Sequence, residues 1–230
     1  MTEHALIVGA GHGLSAAFAR RLALDGVAVS LAARDTAKLA GLARELDART
    51  FACDAGDAAA VAGLFAELDA AGRTPSIVHY NPSVRIHAPF VELVPEEVEK
   101  ALKITAFGGF LVAHQAVPRL LRHGGGTLLF TGASASVKGY PRSAPFAMGK
   151  FALRGLAQSL ARELQPSGIH VVHLVIDGSI APPGGAPPGG VAGEDRLDPA
   201  AIAETMHHLV RQPRSAWSWE IELRPWVERF

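Results

Sequence analysis

Cysteine is almost missing from the 230 residues, where Cys53 stands alone. A single thiol excludes an internal disulfide and any paired-cysteine metal or redox motif. Net charge is missing as well, with 22 Lys and Arg against 22 Asp and Glu. No global field therefore draws nucleic acid or an anionic membrane to the chain, and a small-molecule partner fits better. No apolar run approaches the roughly 20 residues that span a bilayer. The apolar stretch at 5–9 is short, lacks a basic leader and runs straight into glycines, which excludes a signal-peptide reading and leads us to expect a cytoplasmic protein.

What is present is apolar and periodic. Hydrophobic residues make up 49% of the chain and charged ones 19%, enough for one large core and one domain over 1–230. Short apolar runs suited to buried parallel strands occur at 5–8, 27–32, 50–53, 76–80, 127–130 and 169–176. Between them, 14–24, 38–46, 58–68, 96–121 and 147–164 carry apolar residues at three- and four-residue steps and predict amphipathic helices. The alternation predicts a doubly wound α/β fold with a mostly parallel sheet, helices on both faces, and a ligand beyond the carboxyl ends of the strands. The proline- and glycine-rich run SIAPPGGAPPGGVAG, from Ser179, breaks the alternation, and 179–197 is expected to be a loop over that edge, read either as a lid or as an insertion. Asp198 before Pro199 predicts a helix start, and 217–223 an edge strand.

The first strand leads into Gly9-Ala10-Gly11-His12-Gly13-Leu14, and a helix follows. Glycines here let the backbone turn sharply and approach a pyrophosphate, whose charge the helix N-terminus stabilises. The combination predicts a nucleotide-binding Rossmann fold. The second strand ends without the acidic residue that binds the ribose of NAD and presents Arg34, which suits the 2′-phosphate of NADP. His12 is a candidate second donor, while Asp35 keeps NAD(H) open as an alternative. Asp54 and Ala55, after the third strand, are placed at the adenine, with helix capping as the other role for Asp54.

These residues resemble the short-chain dehydrogenase/reductase family over nearly the whole chain. The family's TGxxxGxG is similar to the run from Val8 to Ser15, with Gly9 and Gly13 kept and the last glycine replaced by serine. Its NNAG is similar to Tyr80-Asn81-Pro82-Ser83, and TGASASVKGYPRSAPFAMGK, residues 131–150, matches its serine strand and YxxxK helix in spacing. The resemblance implies Ser134 as the substrate-orienting serine, with Ser136 as second choice, and Lys150 as the lysine that also binds the nicotinamide ribose. It places Thr105 where a catalytic asparagine is usual, and it places Gly178 and Ile180 beside the carboxamide. Phe146 stands at the position of the catalytic tyrosine, so the resemblance is to an atypical FxxxK branch. Positions four apart share a helix face, and a tyrosine beside the lysine ammonium could exchange a proton with a carbonyl. Phenylalanine has no proton to give.

The function expected is therefore an NADP(H)-dependent oxidoreductase acting on a small-molecule carbonyl or imine, with Tyr140, His87, Lys150 or water as the proton source. The alternative is an NADP(H)-binding protein without turnover, as a sensor, scaffold or inactive subunit. No metal site is expected. His207 and His208 are adjacent on a helix and point apart, and His170 and His173 sit in an apolar strand. Asp177 is read as a turn residue. Trp217, Trp219 and Trp226, with the two long helices, suggest a packing or subunit surface and a homo-oligomer, dimer or tetramer.

Overall fold

A computed structural model of the chain describes residues 3–182 and 195–228. Seven parallel strands form one sheet: β1 (His4–Val8), β2 (Ala28–Ala33), β3 (Arg49–Ala52), β4 (Ile77–Tyr80), β5 (Gly126–Thr131), β6 (Ile169–Ile176) and, at the edge, Glu220–Leu223. Two further two-residue strands, β7 (Ser179–Ile180) and β8 (Arg196–Leu197), pair with each other outside it, which makes the edge strand β9. The sheet order is β3-β2-β1-β4-β5-β6-β9. The chain thus reverses direction of travel between β1 and β4, and the crevice at such a switch point is where a doubly wound sheet binds its ligand.

Side chains on a strand alternate between faces, and the core divides accordingly. Ile7, Leu31 and Leu129 pack on one face with α1 (Leu14–Leu24), α2 (Ala40–Leu46) and α7 (Pro199–Val210). Leu6, Val8 and Leu128 pack on the other with α3 (Ala58–Ala70), α5 (Gly108–Arg122) and α6 (Ala144–Leu164). All eight residues of β6 are buried, as its central, doubly covered position requires.

Three elements depart from the sequence expectation. The helix expected over 96–121 is two helices, α4 (Pro95–Leu102) and α5, joined by a π-helical turn at Lys103–Phe107. Inside that turn the Ile104 carbonyl accepts a bond from the Tyr80 hydroxyl, and Thr105 Oγ1 accepts from the Val84 amide at 3.1 Å. Widening the helix frees the Ile104 carbonyl for the end of β4, while the Thr105 side chain holds the loop that follows. The last long helix begins at Ala144, three residues earlier than expected, with Pro145 in its first turn. The segment expected as loop from Ser179 begins in β7 and ends in β8; its proline- and glycine-rich part at 183–194 lies outside the described residues.

Candidate active site

Two cavities meet at the carboxyl ends of β1 and β4, sharing Asn81 and Ser83. The first, about 330 Å³, lies over β1, β2 and β3 and is lined by Gly9, Arg34, Lys38, Asp54 and Ala55 among others. The second, about 600 Å³, lies over β5 and β6 and includes Arg85, Ser134, Tyr140, Ser143, Phe146 and Lys150.

Gly9 turns the chain at the end of β1 with φ +76°, and a Cβ there would lie 2.7 Å from the Pro82 ring. No other residue fits that turn. Gly13, before α1, sits at φ −86°, ψ −123°, outside the regions favoured by residues with a Cβ. A Cβ on Gly11 or on Gly13 would meet no protein atom within 4 Å. The protein leaves open space over the loop, which is what a cradle for a phosphate needs. Asn81 braces the loop from beneath, donating from Nδ2 to Ser15 Oγ at 3.0 Å and receiving support through its own amide from the Val8 carbonyl at 3.0 Å. Leu14 is a buried core residue and offers the site only its backbone.

Around the first cavity Arg34 is joined by Lys38, which sequence reasoning missed; a single 3-10 turn, Ala37–Leu39, returns it to the same opening. Asp35 does not line the cavity, and its Oδ1 accepts from the Ala37 amide at 3.0 Å. His12 lines a separate depression between α1 and α7, so the expected pairing with Arg34 is not formed. Asp54 does line the first cavity, its Oδ1 held by the Gly56 amide at 2.9 Å. The helix that follows is capped by Asp57 instead, through Ala59 and Ala60 at 2.7 and 3.0 Å, so Asp54 is not the cap.

In the second cavity the two candidate serines are placed differently. Ser136 is fully buried with its Oγ accepting from the Ala133 amide at 3.1 Å, whereas Ser134 faces the cavity. Lys150 is 2% exposed, and its Nζ donates to the Thr131 carbonyl at 2.6 Å. Burial pushes its amine down to about 7, since the charged form loses its hydration there. The Phe146 ring stands between cations, with Lys150 Nζ 5.8 Å and the Arg85 guanidinium 5.6 Å from its centre. Tyr140 lines the opening, 41% exposed, with Lys138 Nζ 5.7 Å from its ring centre.

Thr105 does not reach the cleft. It is buried in the π turn with its hydroxyl taken by Val84, so it shapes the loop after β4 rather than touching a ligand. Asp177 is no turn cap: its carboxylate is buried and paired with Arg224 at 3.3 Å and Lys138 at 3.7 Å. Gly178, with φ +143°, and Ile180 follow it along the cavity wall. His170 stacks on Trp217 with ring centres 4.6 Å apart, and His173 Nδ1 lies 2.9 Å from Glu220 Oε2. Both are packing histidines. Among the described residues no group of three or more His, Cys, Asp or Glu is arranged for a metal, and no helix is long and apolar enough to cross a membrane.

The short chain dehydrogenase family model matches residues 3–182. Over 181 residues the chain is 31% identical to a very-long-chain 3-oxoacyl-CoA reductase of Neurospora crassa and to a 3-dehydrosphinganine reductase of Arabidopsis thaliana. In each case 75% of this chain aligns with 54% of the relative, so the chain spans about half the length of these curated relatives. Among solved structures, a short-chain dehydrogenase from Rhodopseudomonas palustris is 32% identical with a TM-score of 0.85, covering 97% of this chain and 99% of that one. An alcohol dehydrogenase from Thermococcus sibiricus, complexed with 5-hydroxy-NADP, is 26% identical with a TM-score of 0.88, covering 100% and 99%.

Proposed function

The chain belongs to the short-chain dehydrogenase family, and we propose that it is an NADP(H)-dependent oxidoreductase that moves hydride between the cofactor and a small-molecule carbonyl or imine. The observation that carries the cofactor choice is the sorting of charge at the first cavity. Arg34 and Lys38 both line it, while the neighbouring carboxylate of Asp35 is turned into its own backbone. Two cations at one opening favour a 2′-phosphate, which a guanidinium holds by parallel charge-assisted bonds. The alcohol dehydrogenase relative is described with a derivative of the same cofactor.

The residues that would hold the cofactor follow from this arrangement. Gly9, Gly11 and Gly13, with the Leu14 backbone, take the pyrophosphate. Arg34 and Lys38 take the 2′-phosphate, and Asp54 and Ala55 the adenine. Asn81 lies where the cavities join, Lys150 holds the nicotinamide ribose, and the backbone at Gly178 and Ile180 meets the carboxamide. When bound, the nicotinamide supplies the hydride chemistry. Ser134 orients and polarises the acceptor, and the residues from Ile176 to Ile180 form a wall of the same cavity. Exposed Phe107, Phe110, Met148 and Phe151 on the π turn, α5 and α6 support a homo-oligomer, because apolar surface of that kind is ordinarily covered.

Titration with NADPH and NADH, followed through nicotinamide fluorescence, tests the cofactor half. We expect NADPH to bind about tenfold or more tightly than NADH, and that margin to vanish in Arg34→Ser. Equal affinities in the unaltered protein would overturn the preference. Phe146 favours a second reading, an NADP(H)-binding protein without turnover. That reading would be supported by a tight NADPH complex that reduces no carbonyl until Phe146→Tyr is introduced.

A further inference from the structure

With phenylalanine at position 146, an acceptor that receives hydride needs its proton from a different side chain. The start of α6 offers one. Ser143 occupies the N-cap of that helix, where a serine side chain ordinarily accepts a bond from an amide two or three residues on. Ser143 makes no such bond. Its Oγ lies instead 3.3 Å from His87 Nδ1, in the loop after β4. Although only 2% exposed, Ser143 lines the second cavity together with Ser134, Phe146 and Lys150. It precedes Phe146 by three residues and so shares its face of the helix.

The surrounding backbone is arranged to hold this contact. Arg142 adopts φ +62°, a conformation uncommon for residues other than glycine and concentrated at functional sites. Its carbonyl accepts from the Ala88 amide at 3.0 Å. The bonds 88 to 142 and 87 to 143 together clamp the β4 loop to the first turn of α6. The charged side chains nearest along the two clamped segments are Arg85, lying against the Phe146 ring, and Arg142 itself.

We propose that Ser143 is the catalytic acid of this chain and that His87 is the positioning residue that reloads it, together replacing the absent phenol. The proposal rests on the redox reading above. In reduction of a ketone, one hydride from NADPH and one proton from Ser143 convert the carbonyl to an alcohol, and the cofactor leaves oxidised. The carbonyl π pair moves to oxygen, which takes the proton from Ser143 Oγ. The Nδ1–H of protonated His87 passes its proton to Oγ in turn, and His87, exposed at the surface, recovers a proton from water. Alcohol oxidation runs the same path backwards.

The test compares the unaltered protein with Ser143→Ala and His87→Gln, using NADPH with ethyl acetoacetate and with acetoacetyl-CoA. Ser143→Ala is expected to lower kcat about a hundredfold, with KM and NADPH affinity by fluorescence within about twofold. His87→Gln is expected to lower kcat about tenfold, again with KM and NADPH affinity within about twofold. A measurement independent of turnover is the side-chain nitrogen NMR of His87 in cofactor-free protein, where the Nδ1 resonance moves in Ser143→Ala. Unchanged kcat in both variants, or an unmoved Nδ1 resonance, overturns the relay and leaves the redox reading standing. An unaltered protein that binds NADPH and reduces neither compound, while Phe146→Tyr reduces one, overturns the redox reading and the relay with it.

Discussion

The two halves of the cleft differ in what they demand of individual atoms. Over β1 to β3 the site is built from backbone shape and mobile charge: a turn at Gly9, open space over Gly11, and exposed Arg34 and Lys38. Several residues share each task there, and the loop tolerates serine at position 15 because its hydroxyl serves to meet Asn81. Over β5 and β6 the family's chemistry depends on one phenolic oxygen, and phenylalanine removes it with almost no change of shape. The ring keeps its negative face, so Lys150 and Arg85 still lie against it. The substitution removes a proton while leaving the ring and its contacts in place. A site can keep its architecture while its chemistry is reassigned to neighbours.

Lys150→Met tests the second half most severely. NADPH-dependent reduction is expected to fall by about a hundredfold or more, through loss of the contact to the nicotinamide ribose. Stability is expected to move the other way at low pH. The Lys150 amine is pushed from the ordinary 10.5 to about 7 by burial, so between those values the unfolded chain binds more protons and folding stability rises with pH. Below about 7 the cost of burying the ammonium is felt in full. The methionine variant should thus melt higher than the unaltered protein at pH 6, with the gain shrinking towards pH 10. A variant that melts lower at every pH would show that the bond to the Thr131 carbonyl outweighs the desolvation.

The first half is separated from the fold by a pair of glycines. Gly9→Ala forces a Cβ into a left-handed turn and against the Pro82 ring, which costs about 1–3 kcal/mol of stability and weakens NADPH binding with it. Gly11→Ala meets no protein atom and should leave the melting temperature of the free protein within about 1 °C, yet weaken NADPH about tenfold by filling the space reserved for phosphate. Equal loss of stability in the two variants would remove the argument that the ligand, and not the chain, requires glycine at position 11.

Much of this was legible in the sequence because strand periodicity and glycine placement are local signals. The seven expected strands overlap the observed ones, and the family resemblance over residues 131–150 pointed to Ser134 and Lys150, which do line one cavity. What escaped detection is long-range or conformational. A π turn changes the helix period for only five residues, Lys103–Phe107, too few to disturb an apolar pattern. Lys38 reaches the first cavity through a 3-10 turn that propensity does not specify. His87 and Ser143 are 56 residues apart, and nothing in either neighbourhood names the other. The start of α6 had a usable signal in Pro145, which favours a first helical turn. Asp177 looked like a turn residue because its cations, Lys138 and Arg224, come from separate loops.

The smallest expected effect concerns what lies beneath each half. Under the half over β5 and β6 the strands carry three buried histidines: His79, with Nε2 2.7 Å from Thr131 Oγ1, His170, with Nε2 2.8 Å from the Ser218 carbonyl, and His173, with Nδ1 2.9 Å from Glu220 Oε2. Burial, aided by the Lys150 charge, pushes His79 down to about 3, and burial pushes His173 down to about 4. Both are neutral in the folded protein, so the unfolded chain takes up more protons as pH falls below 6.5, and stability is lost from there towards the folded values. Each contributes at most about 1.4 kcal/mol per pH unit in that window. Glu220, held low by Arg154 and His173 against the opposing effect of burial, adds to the same trend as pH falls through the carboxylate range. The half over β1 to β3 has no counterpart among the described strand residues beyond His4, which lies at the far end of β1 and is lowered by burial and by Arg73. Amide exchange should therefore accelerate in β4, β5 and β6 before β2 and β3 when pH is lowered from 7 to 5. His173→Gln should remove about a third of the fall in melting temperature over that range, and a melting temperature flat from pH 7 to 5 would mean that these rings take up protons in the fold as readily as in the unfolded chain.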